Sequence, residues 1–166
     1  KERSVGLGVM GFHSFLQKNN IPLESVMSKA WNKKIFKKIQ EGVDQASKDL
    51  ADERGACPDA AEYGFNERFS NKTAIAPTAS ISVICGGASP GVEPVAANSY
   101  THKTLSGSFN VRNRYLVEVL ENYGKNTDEV WSGITNNQGS VSHLDFLTDI
   151  EKDVFKTAFE LDQKWI

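Results

Sequence analysis

One apolar stripe constrains the folding of this chain more than any other feature. After Pro22, the residues Leu23, Met27, Ala30, Trp31, Ile35, Ile39, Val43, Ala46 and Leu50 recur at spacings of three and four, with lysines and acids on the other side. That period matches the turn of an α-helix, so the pattern predicts one long amphipathic helix opened by Pro22. Gly55 is a natural stop, because glycine takes the left-handed conformation that closes a helix without steric penalty.

Shorter elements flank it. Val5 to Met10 is apolar and punctuated by glycine, which predicts a buried strand running into a tight turn. Phe12 to Lys18 reads as a helix closed by Asn19-Asn20, and residues 56–73 read as irregular. Residues 86–108 hold many turn formers and read as a long ordered loop or short strands. Tyr115, Leu116, Val119, Leu120 and Tyr123 predict a helix ended by Gly124, and Asp128 to Gln138 a second one ended by Gly139. Thr148-Asp149-Ile150-Glu151 has the form of a capping box. The apolar positions after it (Val154, Phe155, Ala158, Phe159 and Trp165) predict a helix running on to Trp165-Ile166. Both ends read as cut from a longer protein.

Composition removes several function classes. The chain has 166 residues and a formal net charge of −2, which gives no electrostatic footprint for nucleic acid or a membrane surface. No apolar run approaches the roughly 18 residues of a membrane span, and Lys1 to Ser4 leads into no signal core. Cys57 and Cys85 lack metal or disulfide spacing and read as reduced thiols of a cytoplasmic protein, one or both buried. His13, His102 and His143 are scattered without ligand spacing, so no metal site is expected. His13 reads as packed or exposed. Ser89 and Ser106 lack the context of a hydrolase nucleophile. Lys33, Lys34, Lys37 and Lys38 read as a solvated face of the long helix.

Two motifs carry chemistry. Gly6-Leu7-Gly8-Val9-Met10-Gly11 fits the G-x-G-x-x-G pattern that brings backbone close to a dinucleotide's pyrophosphate, so an NAD-dependent oxidoreductase using Gly6, Gly8 and Gly11 is one alternative. The pattern also asks for a second strand ending in an acid about 20 residues later, and Pro22 with the long helix occupies that place. The other motif is Pro77-Thr78-Ala79-Ser80-Ile81-Ser82. Thr78 is a good N-cap, Ala79 to Cys85 suits a short helix, and Gly86-Gly87 stops it. The start of such a helix offers free N–H groups, and the hydroxyls of Thr78, Ser80 and Ser82 add donors, which together make a phosphate cradle. The competing reading is a capped helix whose hydroxyls bond only its own backbone.

These residues also resemble a family. Thr73 through Ser82, followed by Gly86-Gly87-Ala88-Ser89-Pro90-Gly91-Val92-Glu93-Pro94, looks like the substrate-phosphate segment of ribonucleotide reductase large subunits. Tyr100 through Phe109, the opening from Arg3 to Phe12, and Gly55-Ala56-Cys57-Pro58 are similar to that family too, in the same order. The likeness covers nearly the whole chain.

The resemblance implies a helix-rich α/β fold, a single fragment (residues 1–166) of a ten-stranded α/β barrel. It implies that Thr78, Ala79, Ser80, Ile81 and Ser82 hold the substrate diphosphate through backbone N–H groups and hydroxyls. No catalytic residue is expected here: the radical-bearing cysteine and the reducing cysteines lie in other parts of the family's chain, and neither Cys57 nor Cys85 matches them. Glu93 matches a family motif position and is as well suited to orienting its loop as to chemistry. His102 falls in the similar stretch. The implied partners are a ribonucleoside diphosphate, the rest of the large subunit and a radical-generating small subunit that contains iron or manganese, with homodimer formation or self-association. No cofactor is expected on this chain, and alone it is expected to be inactive. An independently folded phosphate-binding or scaffold module is the remaining alternative.

Overall fold

A computed structural model describes residues 1–105 and 107–165; the Ser106 candidate and the terminal Ile166 lie outside them. The described chain is helix-rich with one two-stranded sheet. It divides into two compact units, residues 1–9 with 29–76 and residues 10–28 with 77–166.

The first unit is built on the long helix. After α1 (Phe12–Lys18), which belongs to the second unit, α2 spans Val26–Arg54. Gly55 closes it at φ 80°. Its opening residue is Ser25 rather than Pro22: the Ser25 hydroxyl accepts from the Ser28 N–H at 3.1 Å and donates to the Pro22 carbonyl. Trp31, Ile35, Ile39, Val43 and Leu50 are half-buried as the stripe requires, but Met27, Ala30 and Ala46 are exposed. The deepest positions toward the helix end are Ser47 and Ala51. The returning chain explains this. Arg68 and Phe69 donate their N–H groups to the Ser47 hydroxyl, and Lys72 bridges Asp44 at 2.8 Å and Glu67 at 3.0 Å. A small residue lets that backbone come close, so tertiary contact moves the buried face away from where hydropathy alone puts it.

Residues 56–73 are less irregular than expected, because Pro58–Glu62 forms α3. The signal was present: proline at the first helical position has a preset φ and needs no N–H partner. The expected buried strand at Val5 to Met10 is overturned. Leu7 makes a single parallel bridge to Thr73, extended by Val5 N–H to the Asn71 carbonyl and Ala74 N–H to the Leu7 carbonyl. Val5 is 44% and Leu7 53% exposed. A parallel pair gains a regular ladder when its faces are covered and its edges paired, and among the described residues no further strand pairs with either segment.

The second unit has a closed core. The hairpin pairs β1 (Ser99–Thr104) with β2 (Gly107–Arg112), in register from Ser99 opposite Arg112 to Thr104 opposite Gly107. The region read as a loop or short strands is thus partly sheet. Helices α5 (Arg114–Asn122), α6 (Asp128–Asn136) and α7 (Asp149–Val154) follow. Leu116, Leu120, Trp131, Ile134, Val141, Leu144, Leu147, Val154 and Phe155 pack into one buried cluster. Gly124 ends α5 with positive φ, as its sequence position predicts. Helix α6 stops at Asn136, short of the expected Gln138, and Gln138 at φ 56° takes the left-handed conformation before Gly139. Thr148 and Glu151 form the expected reciprocal capping box.

The predicted helix to Trp165 is overturned, since α7 ends at Val154. Tertiary bonds take the groups that helix would use. The Phe155 carbonyl accepts from the Asn98 side chain at 2.7 Å, and the Ala158 N–H donates to the Val95 carbonyl at 2.8 Å. Phe159 is 85% exposed, and among the described residues a 3-10 turn, Gln163–Trp165, follows.

Candidate functional site

The hydroxyl motif forms helix α4, Ala79–Ile84, closed by Gly86 and Gly87 with φ near 79° and 72°. Ser82 N–H donates to the Thr78 carbonyl at 2.8 Å, the first backbone bond of the helix. Thr78 departs from expectation. It sits in the left-handed region, φ 51° and ψ 29°, and no side chain caps α4. Its Oγ1 accepts instead from the Gly91 N–H at 2.8 Å. Ala79, Ser80 and Ile81 are exposed, and their N–H groups precede the first intrahelical bond. Helix geometry leaves such donors to a cap, to water or to a ligand.

Ser82 goes the other way. It is buried, and its hydroxyl donates to the Ala79 carbonyl at 2.7 Å. For this hydroxyl the self-bonding alternative holds. The structure therefore gathers Thr78, Ala79, Ser80 and Ile81 at one accessible start and turns the Ser82 side chain inward.

The loop after α4 is tied to α1, a connection the sequence reading missed. Ser14 N–H donates to the Ser89 hydroxyl at 3.1 Å, and Ser89 N–H donates to the Ser14 hydroxyl at 2.8 Å. Gly11 N–H reaches the Ser89 and Gly91 carbonyls, and Val95 N–H donates to His13 Nδ1 at 3.0 Å. Partners 75 residues apart leave no local signal. Ser89 is fully buried with both groups engaged, which accounts for it as a structural residue. His13 is buried too, and burial pulls its pKa down to about 4. Its Nδ1 accepts, so the neutral ring carries its proton on Nε2. Behind α4 lies a cleft of about 320 Å3 lined in part by Ser82, Val83, Gln17 and Tyr100. An amide chain orders the wall of this cleft: Asn113 Nδ2 donates to both Gln17 and Asn98.

The other candidates have ordinary surroundings. Cys57 is buried 3.3 Å from the Ser70 hydroxyl, which draws its thiol pKa down, while Cys85 is exposed. Glu93 is exposed in a turn closed by its own N–H on the Pro90 carbonyl. His102 is half-buried on β1, and His143 pairs with Asn137. Lys33, Lys34, Lys37 and Lys38 are exposed; Lys37 and Lys38 reach Glu41. Among the described residues, no cluster of three potential metal ligands occurs and no helix is long and apolar enough to cross a membrane. The glycines have structural uses: a Cβ on Gly6 would stand 2.8 Å from that of Ala74, and one on Gly8 would stand 3.1 Å from the Ala74 carbonyl. The Gly11 N–H is already engaged, so nothing in this geometry favours the NAD alternative.

Comparison with known proteins decides the family. The family model for the ribonucleotide reductase barrel domain matches residues 1–67 and 59–166. The chain belongs to that family. It is 49% identical to the ribonucleoside-diphosphate reductase large subunit of Invertebrate iridescent virus 6, over all of this chain and 18% of that protein. It is 44% identical to the large subunit of Invertebrate iridescent virus 3, over 98% of this chain and 26% of that one. Among solved structures, the alpha subunit of the Actinobacillus ureae class Id ribonucleotide reductase superposes with a TM-score of 0.84 at 42% identity, covering 95% of this chain and 28% of that subunit. The chain thus spans less than a third of the length of each of these relatives.

Proposed function

We propose that this chain is part of the large, catalytic subunit of a ribonucleoside-diphosphate reductase and supplies its substrate-phosphate-binding segment. The observation that carries the reading is the uncapped first turn of α4, set in the stretch that resembles the family's phosphate segment. The N–H groups of Ala79, Ser80 and Ile81, with the hydroxyls of Thr78 and Ser80, meet the diphosphate oxygens. Ser82 contributes through its backbone and anchors the helix. A helix start attracts an anion by aligned peptide dipoles and needs no lysine.

In this reading residues 1–166 are one piece of a ten-stranded α/β barrel. The exposed Val5, Leu7 and Ile75 beside the Leu7–Thr73 bridge support it, since they are apolar strand positions that barrel neighbours would cover. The radical and redox cysteines come from other parts of the subunit. A separate small subunit with a metal centre supplies the radical, and the complete protein is a cytoplasmic enzyme that associates with itself. Residues 1–166 bind and orient; they carry out no radical step.

Reading amide resonances while titrating the chain with CDP and then NAD tests the proposal. Saturable CDP shifts centred on residues 78–82 are expected. Shifts confined to Gly6–Gly11, with NAD alone, would overturn it. Reductase turnover by residues 1–166 with any radical-generating subunit would overturn the division of labour.

A further inference from the structure

The exposed apolar side chains of the first unit are of two kinds. Val5, Leu7 and Ile75 stand beside the Leu7–Thr73 bridge. Tyr63 and Phe65, 76% and 65% exposed, lie elsewhere: with Phe69 they line a hollow of about 290 Å3 after α3. Apolar residues scattered singly on a surface need no explanation, but three rings around one concavity do.

Local bonds build the hollow. Gly64 turns the chain at φ 76° after α3, and the Phe65 N–H donates to the Ala60 carbonyl at 2.8 Å, so Tyr63 and Phe65 flank one tight turn. The Cys57 N–H donates to the Glu67 carbonyl at 2.9 Å and closes the loop. The Phe69 N–H is held by the Ser47 hydroxyl of α2. The rings are thus carried on a tied loop, which lowers the ordering cost of holding a ligand.

Charge gives the hollow its sign. Asp59, Glu67 and Lys72 line it as well. Lys72 is engaged by Glu67 at 3.0 Å and by Asp44 at 2.8 Å. Asp59, half-buried in the first turn of α3, makes no ion pair among the described residues. An acid in a first turn suits the peptide dipoles, but that gives the three rings no use. The face of an aromatic ring is negative and attracts a cation, above all one that sheds its water easily. An unpaired carboxylate in the same hollow selects the same charge.

We propose that the hollow bounded by Tyr63, Phe65, Phe69 and Asp59 binds a small organic cation of the quaternary-ammonium type. The rings take the methyl-covered head and Asp59 balances its charge. This reading does not depend on residues 78–82.

The test is calorimetric titration of the full-length large subunit carrying this segment, with choline and with 3,3-dimethyl-1-butanol, which has the same shape and no charge. Choline is expected to bind saturably, at least about tenfold more tightly than the alcohol, and to weaken in high salt. Tyr63→Leu and Phe65→Leu are each expected to weaken choline about fivefold, and Asp59→Asn about threefold. These side chains are exposed or half-buried, so the variants are expected to unfold in urea at the parent's midpoint. Equal binding of choline and the alcohol would reduce the hollow to an apolar groove and overturn the proposal. So would the absence of choline binding to the parent, or choline binding that both leucine variants leave intact.

Discussion

The two units bury their apolar residues to different extents. The second unit, residues 10–28 and 77–166, seals nine apolar residues at 7% exposure or less into one cluster. The first, residues 1–9 and 29–76, leaves most of its α2 stripe half-buried and Val5, Leu7, Tyr63, Phe65 and Ile75 exposed. What fixes the first unit is largely polar: the Ser47 hydroxyl, the Lys72 ion pairs and the short Cys57–Ser70 contact. The difference teaches that one part of this chain closes a core around large apolar side chains while the other relies on polar contacts; exposed apolar side chains occur on both, Ile84, Leu105 and Phe159 among them on the second. The family model matches residues of both parts, so family membership alone does not forecast which part closes its own core.

The largest expected effect comes from truncating each interior. Phe155→Ala in the closed cluster is expected to destabilise by about 3–5 kcal/mol, and Ile39→Ala on the half-buried stripe by about 1–2 kcal/mol, in urea denaturation followed by circular dichroism. Equal losses would break the comparison. The pH response sharpens it next. His13 is neutral when folded and has a pKa of about 4, against an ordinary value of 6.5. The unfolded chain therefore binds the extra proton first. The stabilisation is complete above pH 6.5 and is lost as pH falls from there toward 4, by roughly 3 kcal/mol. His13→Asn is expected to flatten that slope. In the first unit the Ser47 hydroxyl and, against burial, Lys72 hold Glu67 below its usual range, so its contribution is lost only as pH falls below about 4.5. Acid titration of stability is thus expected to weaken the second unit first. The smallest effect is a local one: Thr148→Ala removes the capping box of α7 and is expected to cost about 1 kcal/mol in the same urea assay.

Much of this was legible in the chain itself. Gly55 and Gly124 mark helix ends because those ends need a residue that tolerates positive φ. Thr148 and Glu151 mark a helix start because the two side chains satisfy each other's backbone across one turn. The short helix after Pro77 and its Gly86-Gly87 stop are local in the same sense. Features that failed to read were non-local. The end of α7 at Val154 is imposed by Asn98 and Val95, more than 50 residues away in sequence. The displaced buried face of α2 answers to Arg68 and Phe69.

The candidate site divides along the same line. Residue types and spacing alone determined that Thr78 to Ser82 could start a helix rich in donors, because propensity, proline and glycine act within a few positions. Only tertiary structure decided which groups remain available. Ser14 and Ser89 meet from 75 residues apart, Gly91 captures the Thr78 hydroxyl, and Ser82 turns inward. A hydrogen bond is a matter of distance and direction in space, and the order of residues specifies those only once the chain has folded.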